Sequence, residues 1–220
     1  MAPYLFDKRA GVHIIDLEQT LGYLHEAQKK VEELTATGQP VLFVGTKRQG
    51  KDGLRAAADR AGMPFVTERW LGGMLTNFNT IKKRLDRLAA LTAEQEKGTW
   101  DHLPKKELAR KREELERLTH MLGGIRHLEQ VPAGVFVNDT VREDLAVKEA
   151  NKLGLPLIGV VDSNADPTNI EYPIPANDDA VKAITVIADA IADAAAAGKA
   201  KYEKQAAAPP PEAPKAGAPS

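Results

Sequence analysis

Val41-Leu42-Phe43-Val44-Gly45-Thr46-Lys47-Arg48-Gln49-Gly50-Lys51-Asp52 is an apolar run that breaks at a glycine into a polar, cationic turn. Pro40 bounds the run on one side and Gly45 on the other, which marks a short buried strand. A helical pattern follows over Leu54–Ala61 and stops at Gly62, and Pro64-Phe65-Val66-Thr67 reads as a second strand. The same alternation resumes after Gly123-Gly124. Gly134–Asn138 is a strand, Arg142–Leu153 a helix with Gly154 as its stop, and Pro156–Asp162 another buried strand. Glu171–Pro175 is a short extended piece, and Asn177-Asp178-Asp179 opens a last helix over Ala180–Ala197. Upstream, His13–Leu17 is a short apolar run and Leu21–Thr37 a helix ending at Gly38. Strands alternating with helices predict an α/β fold with a parallel, doubly wound sheet.

The middle of the chain has another period. Phe78, Ile81, Leu85 and Leu88 step by three and four, as do Leu108, Leu115, Leu118 and Leu122, with Lys111 interrupting the second seam. Gly98-Thr99-Trp100-Asp101-His102-Leu103-Pro104 lies between them and supplies a turn and a helix-starting proline. The pattern predicts a protruding antiparallel helical hairpin over 76–122, inserted in a discontinuous globular domain of residues 1–75 and 123–200. The Ala/Pro-rich segment 201–220 reads as a disordered tail.

Composition narrows the function classes. The chain has 220 residues, no cysteine and a formal net charge of −1. Disulfide frameworks and thiolate metal sites are excluded. No apolar run approaches the roughly 18 residues of a membrane span, and no secretory signal opens the chain, so a cytoplasmic location is expected. The near-zero charge hides patches: residues 81–117 carry eleven cations against eight acids, clustered as Lys82-Lys83-Arg84 and Arg110-Lys111-Arg112.

Several motifs bear on chemistry. Gly45–Lys51 nearly spells a phosphate loop, but Asp52 stands where the Mg²⁺-binding hydroxyl belongs. A turn offering Lys47, Arg48 and Lys51 to a phosphate and an ordinary turn with solvated lysines both fit. Asp162-Ser163-Asn164-Ala165-Asp166-Pro167 follows a strand, where its acids could hold a cation, though such a segment is more often a capped loop. Asn177-Asp178-Asp179 reads as a helix cap. The five histidines show no metal-ligand spacing, and no nucleophile motif is present. No catalytic residue, metal or cofactor is expected. Arg69-Trp70-Leu71-Gly72-Gly73-Met74-Leu75-Thr76-Asn77-Phe78-Asn79-Thr80 combines a cation, an indole, a Gly pair and a cap-forming step. Its backbone amides suit a phosphate-rich partner, Trp70 braces the loop, and Thr76 or Asn77 caps the next helix.

Five segments in order resemble the bacterial-type small-subunit ribosomal protein two family. They are Phe43–Lys47, Arg69–Phe78, Leu122–Ile125, Val161–Pro167 and Ile174–Ala180, at family spacing from about His13 to Ile191. The resemblance implies a flavodoxin-like domain with a protruding helical hairpin. It also implies a structural role in the small subunit, binding its rRNA, neighbouring ribosomal proteins and the mRNA-binding protein one, without catalysis. Family members usually open with a Gly-x-His-Phe-Gly-His stretch and a Trp-Asn-Pro-Lys-Met stretch. Met1 falls where that last Met stands, so contacts made by that segment are not carried over.

The RNA-binding residues expected on this reading are Lys47, Arg48, Arg69, Lys82, Lys83, Arg84, Arg110, Lys111 and Arg112. The alternatives are a nucleotide- or phosphometabolite-binding enzyme using Gly45–Lys51 and Asp162, and a coiled-coil adaptor that binds only protein.

Overall fold

The computed structural model describes residues 1, 4–9 and 12–207. Among them the chain order is β1 (Leu5–Arg9), β2 (Val12–Ile15), α1 (Leu17–Thr35), β3 (Val41–Val44), α2 (Lys51–Ala61), β4 (Phe65–Val66), α3 (Phe78–Glu96) and α4 (Lys105–Leu122). Then come β5 (Gly134–Val137), α5 (Asp144–Lys152), β6 (Leu157–Val161), β7 (Tyr172–Pro175) and α6 (Val181–Ala207). β1 and β2 form a separate antiparallel pair.

The other five strands form one parallel sheet in the order β4-β3-β5-β6-β7. Counted within that sheet, this is the flavodoxin-like order 2-1-3-4-5, whose switch point lies between the first and third strands. Here those are β3 and β5. β3, β5 and β6 are buried on both faces, as a sheet sandwiched between helices requires. Alternate side chains go to opposite sides. Val41, Phe43, Phe136, Ile158 and Ile174 pack with Ala27 and Val31 of α1, Leu54 and Ala57 of α2, and Ile187 and Ile191 of α6. Leu42, Val44, Val135, Val137 and Leu157 pack with Ala146 and Ala150 of α5.

On that second face α3 and the loop before it complete the layer. Trp70, Met74, Leu75, Phe78, Ile81, Leu85 and Leu88 belong to the same core as the sheet residues, with Leu115, Leu118 and Met121 of α4 half-buried against them. The two helices are therefore the crossover from β4 to β5, with their base rooted in the sheet. Ion pairs Arg87–Glu114 and Lys111–Glu94 link them in antiparallel register. Lys111 interrupts the apolar seam because its ammonium reaches Glu94, which also accepts from the Trp100 indole. Where the helices return to the sheet, Gly124 lies against the Phe65 carbonyl with no room for a Cβ.

Three expectations need correction. α1 starts at Leu17 rather than Leu21, because the Asp16 side chain accepts from the amides of Glu18 and Gln19. The β1–β2 pair has no counterpart among the strands expected from sequence. α6 continues beyond Ala197 through residues 201–207, where a disordered tail is expected from composition. Its alanine-rich sequence has high helix propensity, Lys201 pairs with Glu32 of α1, and Tyr202 packs over Gly38. Residues 208–220 of the expected tail lie outside the described residues.

Candidate nucleic-acid interface

In a doubly wound sheet the crevice beyond the carboxyl ends of the strands, at the switch point, is where ligands bind. In this chain side chains from the strand ends fill it. The Lys47 ammonium, just after β3, lies 2.7 Å from Asp178, 2.6 Å from Asp179 and 3.4 Å from Asp139. Burial works to lower the pKa of Lys47, but its hydrogen bonds to Asp178 and Asp179 overcome that and hold it above its usual range. Burial, reinforced by Asp139 and Asp162, pushes the Asp178 carboxyl up despite Lys47. Oxygens of Asp162, Asp178 and Asp179 lie within 4.8 Å of one another. The cation that Asp178 and Asp179 hold is Lys47.

The neighbouring motifs are likewise satisfied from within. Buried Glu143 accepts from the Thr46 amide at 2.8 Å and its hydroxyl at 2.6 Å, and Lys51 pairs with Glu68 at 3.1 Å. The near-phosphate loop thus has its Thr46 amide and its last lysine already engaged. Asp162 accepts from the amides of Ser163 and Asp178, and Asp166 from the amide and hydroxyl of Thr168. Asn177 accepts from the Asp179 and Ala180 amides in a turn that ends just before α6 begins at Val181, so it shapes the approach to the helix rather than capping it as expected.

The loop from Arg69 to Thr80 holds a second substitution of the same kind. Its amides, expected to face an external phosphate, are taken by Glu149 of α5. One oxygen accepts from the Trp70 indole at 3.0 Å and the Gly73 amide at 2.7 Å. The other accepts from the amides of Leu75 and Thr76 and the Thr76 hydroxyl, each at 3.0 Å. Gly73 makes the turn possible with φ of 83°. Burial of Glu149 works to raise its pKa, but the Thr76 amide, the Trp70 indole and the Gly73 and Leu75 amides outweigh it and leave the carboxyl below its usual range. Asn77 stands at the N-cap of α3, yet its side chain bonds no backbone amide and instead meets the Thr80 hydroxyl. The expected capping by Thr76 or Asn77 is not made: the Thr76 hydroxyl donates to Glu149, whose carboxylate binds the loop before α3 and no amide of the helix itself.

Most of the cations expected to meet an external anion lie on or just before α3 and α4, while Arg48 lies in the turn after β3. Arg48, Arg69, Lys83, Arg84, Arg110 and Arg112 are exposed. Lys82 is exposed and donates to the Glu129 carbonyl at 3.2 Å. A groove of about 530 Å³ between α3 and α4 gathers Lys83, Arg84, Arg87 and Arg117 over Leu71, Leu118, Met121 and Leu122. Glu114 is the one acid lining it among the described residues, and it already clasps Arg87 at 2.8 Å. Arg87 and Arg117 are additions to the residues expected from sequence. Their clue in the sequence is spacing: Lys83 and Arg87 lie four apart on α3, and Arg117 lies three after Glu114 on α4. A second groove of about 400 Å³ runs along edge strand β4, past Arg55, His120 and Arg126, and shares Met121 with the first.

The sequence profile of ribosomal protein S2 matches residues 1–198. The chain belongs to the ribosomal protein S2 family. It is similar to the small ribosomal subunit protein uS2 of Syntrophobacter fumaroxidans, with 47% identity over 204 residues that cover 93% of this chain and 74% of that relative. A member of the ribosomal protein S2 family is a ribosomal protein of the small subunit, not an enzyme. At the switch point the chain's own ion pairs, Lys47 with Asp139, Asp178 and Asp179, span the crevice. No helix among the described residues is long and apolar enough to cross a membrane.

Proposed function

We propose that the chain is a structural constituent of the small ribosomal subunit that binds its rRNA through the α3–α4 hairpin, in the cytoplasm. The observation that supports this reading is the groove in which Lys83, Arg84, Arg87 and Arg117 converge over an apolar floor. Its cation surplus suits phosphodiesters, and its aliphatic floor offers no aromatic platform for base stacking, so backbone recognition dominates. Arg48, Arg69, Lys82, Arg110 and Arg112 extend the cationic surface. Lys47 and Lys111 serve the fold, since their ammonium groups are committed to carboxylates.

Helping to hold ribosomal protein one requires a protein-facing surface as well. Phe6, Ile14, Leu17 and Leu21 are exposed apolar side chains on the β1–β2 pair and the first turns of α1, and they support that second role.

Replacing Lys82, Lys83 and Arg84 together with alanine tests the RNA reading. Binding of the full chain to small-subunit rRNA should weaken. The log-log dependence on salt should flatten by about 0.7–0.9 for each phosphate that the variant no longer neutralises. An unchanged slope removes the hairpin from the RNA interface.

A further inference from the structure

We infer that Glu149 is the positioning residue of this RNA-binding groove: its carboxylate fixes where α3 leaves the sheet, and so where Lys83, Arg84 and Leu71 stand. The inference rests on the groove being the RNA surface.

Three observations carry it. First, Asn77 at the N-cap of α3 bonds no backbone amide through its side chain, and the first turn carries no acid, so the helix start has no side-chain cap of its own. Second, Glu149 makes five hydrogen bonds to the segment immediately before α3. Third, this segment contributes Leu71 to the floor of the groove, and Lys83 and Arg84 follow within two turns of α3. A carboxylate on α5, which packs on the face of the sheet, therefore ties the body of the molecule to the base of the hairpin.

The role demands an acceptor at both oxygens. Glutamine has the same length and volume, but one end of its amide is a donor that would face donors from the loop. A residue that merely fills space would tolerate glutamine. A residue that anchors the loop by accepting five bonds would not.

The test compares full-length wild-type chain with Glu149→Gln, Trp70→Phe and Arg84→Ala in binding small-subunit rRNA. It follows circular dichroism and amide exchange of Gly73, Leu75 and Thr76 in parallel. Glu149→Gln should keep its secondary structure, lose protection at those three amides and weaken RNA binding about tenfold. Trp70→Phe, which removes a single bond to the same carboxylate, should weaken binding about threefold and decides the question if Glu149→Gln fails to fold. Binding within twofold of wild type for Glu149→Gln, or for Trp70→Phe where that variant decides, overturns the inference if Arg84→Ala still weakens it. If Arg84→Ala and the Lys82, Lys83 and Arg84 replacement also bind like wild type, the groove itself is refuted, and the positioning role with it.

Discussion

Lys47 Nζ lies 2.7 Å from Asp178 Oδ1 across the carboxyl edge of the sheet, joining the turn after β3 to the turn after β7. Asp139 after β5 meets the same ammonium. Three strand ends are thereby held together by charge at the place where a doubly wound fold usually holds a ligand.

Lys47→Met should strand Asp139 and buried Asp178 without their counter-ion. Removing one partner of a buried charge pair costs about 3–5 kcal/mol. Urea denaturation at neutral pH should show a loss toward the lower end of that range, since Asp179 is exposed. The pH dependence has a definite sign. An acid whose folded pKa is raised binds its proton first in the folded state, so stability falls as pH rises past the unfolded value. The variant should therefore regain stability as pH is lowered toward the unfolded value of about 4. A variant equally unstable at pH 5 and pH 7 would show that stranded carboxylates are not the cause.

The sheet strands were legible because each is an apolar run closed by proline or glycine. Their order was not, since it depends on crossovers that no local pattern records. The resemblance to a family supplied it. The partners of the two informative turns were hidden by distance along the chain. Lys47 and Asp178 are 131 residues apart, and Gly73 and Glu149 are 76 apart. Glu149 reads locally as one more charge on an amphipathic helix, although its carboxylate takes the donors that the loop, read from sequence, offers outward. The exposed arginines and lysines of α3 and α4 were legible as clusters. The groove that selects Arg87 and Arg117 from among them exists only once the helices pair.

The Trp70–Glu149 bond should be visible in an acid titration. Glu149 has its folded pKa depressed below the ordinary 4.5. The stability it contributes is therefore complete above that value and is lost as pH falls through the folded one. In a Trp100→Phe background, Trp70 is the only indole, and its emission reports the loop alone. The expected outcome is constant emission from neutral pH down to about 4.5, then a shift as the carboxyl protonates and releases the indole. A change centred between about pH 6 and 7 would assign the transition to another group.

Arg87 and Glu114 make a two-point contact between α3 and α4, at 3.0 and 2.8 Å. Both side chains are partly exposed, so solvent screening keeps the pair weak. A double-mutant cycle with Arg87→Ala and Glu114→Ala should give a coupling of about 0.5 kcal/mol that fades in high salt. Zero coupling at low salt would mean that the helices do not hold this register in solution.

Two glycines should respond oppositely to the same substitution. Gly22 lies on the exposed side of α1 with nothing within 4 Å of where a Cβ would stand. Gly22→Ala should therefore stabilise by about 0.5–1 kcal/mol through helix propensity alone. Gly198 lies in α6 where that helix crosses the end of α1. A Cβ there would overlap the Thr35 hydroxyl and the Glu32 carbonyl. The Thr35 hydroxyl is buried and already donates to the Val31 carbonyl, and the Glu32 carbonyl is rigid backbone, so the helices must separate. Gly198→Ala gains the same propensity but incurs about 1–3 kcal/mol of overpacking, for a net loss. Thermal melts of the two variants beside wild type check both signs. A Gly198→Ala chain as stable as Gly22→Ala would show that α6 leaves α1 before Gly198, and that the ion pair Lys201–Glu32 does not hold the two helices together.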